Sequence, residues 1–247
     1  MDTHAKNRMK IEARKTTDGA GAQIKRVFPG AKLRHIDPFV LLDEFFVSAN
    51  TGFPEHPHRG FEALTYMLEG AFRHKDNLGN DGIVDAGGVQ RFSAGKGIRH
   101  SELPGDEEMN HGLQLWINLP KDLKDMEPTY QKVESDEIPE KEMKGLKIRT
   151  IVGPGSPVEL NTAATYKDLI LDEDTVFEED ITADWNAILY VIENELKYKD
   201  MSISPGECLI IKKGGKVIVR AEQKTRFVLI AGKPHDYPIK QHGSVVD

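Results

Sequence analysis

The chain carries a single cysteine, no apolar run approaching 18 residues and no dense cluster of lysine and arginine. Each absence removes a class of function. With Cys208 alone, neither an intrachain disulfide nor a multi-cysteine zinc site can form, which suits a reducing, cytoplasmic setting. Without a long apolar run no helix is expected to span a bilayer. The N-terminal MDTHAKNRMK has no apolar core of the kind a secretory signal needs. Acidic residues (40) outnumber basic ones (33), for a net charge of −7. That balance gives no electrostatic reason to seek nucleic acid or an anionic membrane, and neither is expected as a partner.

What the chain has instead is β pattern punctuated by glycine. Its 247 residues fit one large domain or two of roughly 120. Asp18-Gly19-Ala20-Gly21 reads as a hairpin turn between the alternating segments MKIEARK and AQIKRVF. FEALTYMLEGAFRHKD reads as strand, turn at Glu69-Gly70, strand. FVLLDEFFV, VQRF and HGLQLWINLP read as further buried strands. A recurrence of about eight to twelve residues is the rhythm of an antiparallel sandwich or barrel, so the expected class is all-β. Residues 120–147 change character, being charged and holding three prolines. The reading is a domain at 1–130, a charged linker at 131–147 and a second domain at 148–247.

The second half echoes the first. YMLEGAFRHKD (66–76) aligns with YVIENELKYKD (190–200) at an offset of 124, and a glycine turn followed by an apolar strand comes next in both. That predicts a duplicated β domain. At the same offset His56 and His58 fall on Asp180 and Thr182. Aligning Gly87 with Gly206 puts Val219 opposite His100 and Ala221 opposite Glu102. A fold that needed these side chains for stability would hardly drop all of them in its copy.

Those four residues are the chemical signal. His56 and His58 stand two apart, as do His100 and Glu102. Side chains at i and i+2 of a strand share a face, so the two pairs can converge on one point. Three imidazoles and a carboxylate suit Fe(II), Mn(II), Ni(II), Cu(II) or Zn(II), and the donor set alone does not choose among them. On an octahedral ion, four protein ligands leave two positions for O2 and a substrate oxygen. Glu102 has a second role open to it, taking a proton from a substrate hydroxyl. Phe53, Phe45, Phe46, Gln114 and Trp116 are candidates to line a pocket for an aromatic substrate, against the plainer reading that barrel aromatics are core. His4, His35, His74, His111, His235 and His242 are read as structural or surface histidines. The glycines at 95–97 and 153–155 are read as turns, since neither is followed by the phosphate-loop pattern.

The order Gly52, His56, His58, Glu62, Gly70, then Gly87, Ser93, Gly95, His100, Glu102, resembles the two cupin motifs. Ser93 stands where the general pattern has proline. Together DPFVLLDEF, FPEHPHRGFE, TYMLEG, GIRHSE, HGLQLWINLP and RFVLIAGKP resemble the pirin family over nearly the whole chain. The resemblance implies a bicupin, two β-barrels in one chain, with one iron (Fe(II)/Fe(III)) in the first. It implies ligands at His56, His58, His100 and Glu102, and it leaves Glu62, which matches a metal position of many other cupins, outside the set. It implies quercetin 2,3-dioxygenase (quercetinase) activity, the O2-dependent ring opening of a flavonol, with a small aromatic substrate and O2 as partners. The alternative it implies is a redox-sensing iron protein that regulates a protein partner, a transcription factor or metabolic enzyme.

Overall fold

The computed structural model describes residues 7–105 and 108–247, so His4 lies outside the described residues. Strands dominate. In chain order the first half gives β1 (Arg8–Glu12), β2 (Arg14–Asp18), β3 (Ala22–Phe28), β4 (Phe39–Ser48), β5 (Phe53–His58), β6 (Phe61–Glu69), β7 (Ala71–Asp76), β8 (Asp81–Asp85), β9 (Val89–Ser93), β10 (Ile98–Pro104), β11 (Met109–Asn118) and β12 (Thr129–Val133). The second half gives β13 (Glu140–Met143), β14 (Leu146–Val152), β15 (Ala164–Leu171), β16 (Val176–Ile181), β17 (Asn186–Glu193), β18 (Leu196–Tyr198), β19 (Met201–Ile203), β20 (Glu207–Ile211), β21 (Gly215–Ala221) and β22 (Thr225–Gly232). A short terminal hairpin, β23 (Gln241–His242) and β24 (Val245–Val246), follows.

These strands make two compact units of the same design. One has a seven-stranded sheet, β12-β9-β6-β11-β4-β3-β2, and a four-stranded sheet, β5-β10-β7-β8. The other has β1-β20-β17-β22-β15-β14-β13 and β16-β21-β18-β19. Strand for strand the orders correspond, as the internal repeat predicted. The correspondence reaches single bonds. Tyr66 lies opposite Val89 and Tyr190 opposite Cys208. The Gly87 amide donates to the Met67 carbonyl at 2.8 Å, and the Gly206 amide to the Val191 carbonyl at 2.9 Å.

The contiguous division into 1–130, 131–147 and 148–247 does not hold. The first unit comprises Arg14–Ile138, Pro157–Thr162 and His235–Asp247, while β1 belongs to the second. The stretch read as a linker is built into the sheets, because β12 pairs with β9 and β13 with β14. Ladder hydrogen bonds satisfy the backbone whatever the side chains, so a polar segment can still be an edge strand.

Inward residues of the first unit form two apolar clusters. One holds Val40, Leu41, Phe61, Ala63, Phe92, Ile98 and Trp116; the other holds Phe45, Val47, Met67, Phe72 and Val84. Between them, on the same alternation, runs a polar row in continuous register: Gln90 opposite Thr65, Thr65 opposite Gln114, Gln114 opposite Asp43, Asp43 opposite Arg26. In the second unit the matching positions are Leu209, Leu189 and Leu229, paired in the same way and buried in one apolar core. The duplicated scaffold therefore stands without the Gln90, Thr65 and Gln114 part of the row, and the register ends on Lys167 and Thr150 where the first unit has Asp43 and Arg26.

A candidate metal centre in the first unit

The four-stranded sheet carries the ligand candidates. On β10, Ile98, His100 and Glu102 are buried while Arg99 is exposed, which is the period of two at work. His100 lies opposite His56 and Ile98 opposite His58. The register then slips, so that Glu102 pairs with Phe53. The slip puts one extra residue on β5, a bulge of the kind that re-aims side chains beside functional sites.

The three imidazoles converge. Ring centroids lie 4.5 Å (His56–His58), 4.6 Å (His56–His100) and 4.9 Å (His58–His100) apart. Each ring offers a nitrogen within 4.8 Å of the others. Glu102 falls in an overlapping group with His100 and His74 rather than with His56 and His58. His56 Nδ1 donates to the Pro54 carbonyl at 2.8 Å, which leaves its Nε2 lone pair free. His58 Nδ1 and His100 Nε2 are buried without a hydrogen-bond partner. Two orphaned nitrogens in one buried cluster are costly unless something fills the space between the rings, and a divalent cation fits that role.

Electrostatics agree. Burial, then the neighbouring rings, push His58 down to about 2. Burial also holds His100 well below the ordinary histidine value, with His56 and His74 adding to the effect. Neutral imidazole is the form that ligates metal.

Glu102 is held from three sides. Its Oε1 accepts from Gln90 Nε2 at 2.6 Å and Thr65 Oγ1 at 3.1 Å, and its Oε2 from Gln114 Nε2 at 2.9 Å. A carboxylate has about four acceptor sites, so one remains for a metal or a substrate proton. The donors are the polar row described above. Gln90 and Thr65 were not among the sequence candidates, since isolated polar residues in apolar strands gave no sign of sharing a register.

Glu62 is bonded to Ser93 and Asn161. It is fully buried, and accepts from Ser93 Oγ at 2.7 Å, from the Asn161 amide at 2.9 Å and from Asn161 Nδ2 at 2.8 Å. Burial raises its pKa against those donors. The serine that stands in place of the usual proline thus has a use, as a donor to this carboxylate.

The cluster opens on a cavity of about 500 Å³, whose walls include Leu41, Phe45, Phe53, Gln114 and Trp116 beside His56, His58 and Glu102. Four of the five pocket candidates, Phe45, Phe53, Gln114 and Trp116, are on this wall. Phe46 is not. It follows Phe45 on β4, so it projects from the opposite face, where it stacks on His111 at 4.3 Å beneath Lys25. His111 itself bonds Glu44 at 2.8 Å on that same face, away from the cluster.

His74, read as structural or surface from sequence, is fully buried within the site. Its Nδ1 lies 3.2 Å from His100 Nδ1 and its Nε2 lies 3.0 Å from Asp76 Oδ2. Burial would raise the Asp76 pKa, but hydrogen bonds from His74, Asn80 and Leu78 outweigh it and hold it below the usual value. His74-x-Asp76 has the same spacing of two as the ligand pairs, and that was the available signal.

Comparison with known proteins gives the family. The family model described as Pirin matches residues 21–117, and the Pirin C-terminal cupin domain matches 166–247. The chain belongs to the pirin family. A pirin-like protein of Solanum lycopersicum is 40% identical over 246 residues, covering 96% of this chain and 84% of the relative. Homo sapiens pirin is 36% identical over 257 residues, covering 100% and 89%. Among solved structures, quercetin 2,3-dioxygenase from Acinetobacter baumannii superposes with a TM-score of 0.89 at 26% identity, over 98% of this chain and 84% of that one. This pirin is thus a cupin-superfamily protein with two all-β cupin domains. Among its described residues no helix is long and apolar enough to cross a membrane.

Proposed function

We propose that this pirin is a cytoplasmic, iron-dependent dioxygenase of the quercetin 2,3-dioxygenase type, with one ion per chain held by His56, His58, His100 and Glu102. The observation that carries the reading is the meeting of that cluster with an aromatic-walled cavity of about 500 Å³. The volume falls in the range of small-molecule sites. The similarity to the Acinetobacter baumannii enzyme supports the reaction class. Manganese, nickel, copper and zinc satisfy the same donors, so metal analysis of the purified protein decides the ion.

Bound iron supplies the Lewis acidity and the electron route to O2. The chain supplies the rest. Phe45, Phe53 and Trp116 offer flat apolar surface to an aromatic ring and keep water from it. Glu102, its carboxylate fixed by Gln90, Thr65 and Gln114, has one acceptor site left, which would serve the metal or, in exchange for it, the proton of the substrate hydroxyl. Preset orientation of both groups is worth more here than any single contact.

The test is oxygen uptake with quercetin by iron-loaded protein, metal-free protein and the His56→Ala variant. Uptake that needs both iron and His56 is expected. No uptake despite one bound iron would sink the enzymatic reading and favour regulation of a protein partner, for which affinity should then differ between ferrous and ferric forms.

A further inference from the structure

The geometry points to His74 and Asp76 as a positioning pair that sets the tautomer of His100 and so aims its unprotonated Nε2 at the metal position. The inference rests on the metal reading above and deepens it.

The proton arrangement follows from which atoms can donate. Asp76 Oδ1 accepts from the amides of Leu78 at 2.9 Å and Asn80 at 3.0 Å, and Oδ2 accepts from Asn80 Nδ2 at 2.8 Å. Every one of these partners can only donate, so the carboxyl acts purely as an acceptor. The 3.0 Å contact to His74 Nε2 must then carry a proton on that nitrogen. With its one ring proton there, His74 presents a lone pair at Nδ1. That lone pair faces His100 Nδ1 at 3.2 Å, so His100 Nδ1 is the donor. His100 is left with a bare Nε2, buried and otherwise unpartnered, in the group with His56 and His58. A metal-bound histidine is commonly oriented by a carboxylate on its other nitrogen; here a second imidazole is inserted between them.

Packing holds the relay still. Tyr130 stacks on His74 at 4.3 Å with 19° between the planes, and Phe92 meets the His100 ring edge-on at 4.6 Å. Both His74 and Asp76 side chains are fully buried, so water does not compete for these bonds. The duplicate provides the control. Asp76 corresponds to Asp200, but His74 corresponds to Tyr198, whose hydroxyl accepts instead from Arg8 Nε at 3.1 Å. The unit without the ligand histidines also lacks the relay histidine.

Long-range ¹H–¹⁵N spectra of histidine rings, on metal-free and zinc-loaded protein, read the tautomers directly. The expected result is a proton on His74 Nε2 and on His100 Nδ1 in both. A proton on His100 Nε2 in the metal-free protein, or zinc on His74 Nδ1 in the loaded one, overturns the proposal. His74→Phe, which keeps the stacked ring, and Asp76→Asn, whose amide reverses the relay, should each weaken zinc and Fe(II) binding about 10–100-fold in chelator competition. Wild-type affinity in His74→Phe also overturns it. A variant that does not fold leaves the decision to the wild-type spectra. Failure of the wild-type protein to bind metal at all would instead remove the metal reading itself.

Discussion

Glu62 and Glu102 are both fully buried carboxylates in the first unit, and their neighbours alone separate them. Each accepts from three donor atoms, on Ser93 and Asn161 for Glu62 and on Gln90, Thr65 and Gln114 for Glu102, but Glu102 alone of the two lies within ligand distance of His100. Glu62→Ala should therefore strand buried donors and cost about 1–3 kcal/mol in urea unfolding, while metal stoichiometry stays at the wild-type value. A loss of metal would show that Glu62 is a ligand after all. His56→Ala should do the reverse. Half-exposed and bonded only to the Pro54 carbonyl, it should cost less than about 1 kcal/mol of metal-free stability but abolish metal retention on gel filtration. At this scale the four ligand candidates were legible because two pairs at a spacing of two announce one strand face each. His74 was not, since its role depends on β7 lying beside β10, where Glu102 is its direct partner.

At the scale of elements, the polar row across the seven-stranded sheet separates the two units more sharply than the histidines do. In the second unit the counterparts of Gln90, Thr65 and Gln114 are leucines buried in one core, while the Asp43 and Arg26 positions carry Lys167 and Thr150. The double variant Gln90→Leu/Gln114→Leu should remain folded but lose about 1–3 kcal/mol, and metal affinity should fall, because the buried Glu102 carboxylate loses two of its three donors. A metal affinity unchanged in that variant would mean that the row does not orient the carboxylate. The register also corrects the correspondence drawn from sequence. Leu196 lies opposite Ala221 where Phe72, its counterpart, lies opposite Pro104. Val217 and Val219 are thus the true equivalents of His100 and Glu102, and both are buried and apolar. A two-residue shift preserves facing, so the inference that the copy lacks ligands survived it.

The terminal hairpin is a second element whose position matters. Val246 donates to the Arg59 carbonyl at 3.0 Å, one residue beyond His58, and Gln241, Gly243 and Ser244 reach the cavity wall. Lys124 ties it down, donating to the carbonyls of Val246 at 2.8 Å and Gly60 at 2.9 Å and to Asn118 Oδ1 at 2.6 Å. Gly60 has φ +83°, and a Cβ there would collide with the Val246 carbonyl. Lys124→Met should cost about 1–3 kcal/mol by leaving these oxygens without their donor, and should raise hydrogen exchange at the Val246 amide. Burial pushes the Lys124 pKa down to about 8 from 10.5. The unfolded chain therefore binds that proton more tightly, and the Lys124 contribution to stability rises with pH between about 8 and 10.5. The pH profile of Lys124→Met should lack that rise.

For the whole molecule, the apolar cores imply that metal contributes to stability without being required for folding. The second unit has 18 buried residues in one cluster and none of the ligand candidates. Chelation should leave β-sheet circular dichroism intact and lower the midpoint of unfolding. Metal at 100 times its Kd should restore about 2.7 kcal/mol, read as a concentration-dependent rise in Tm. Loss of all secondary structure on chelation would contradict this view of the scaffold.

Alternation, turn residues and the internal repeat are local signals, and they were enough to establish an all-β duplicated chain and to single out, in one copy only, the residues proposed as metal ligands. Tertiary structure decided what depends on neighbours distant in sequence. It assigned β1 and the terminal hairpin to a different unit from the strands beside them in sequence, turned Phe46 away from the cavity while Phe45 faces it, and set five scattered polar residues in one register row. It also placed His74 between Asp76 and His100. The physical reason is common to all of these: a side chain's face is set by its own strand, but its partner is set by ladder hydrogen bonds between strands that the sequence leaves unspecified.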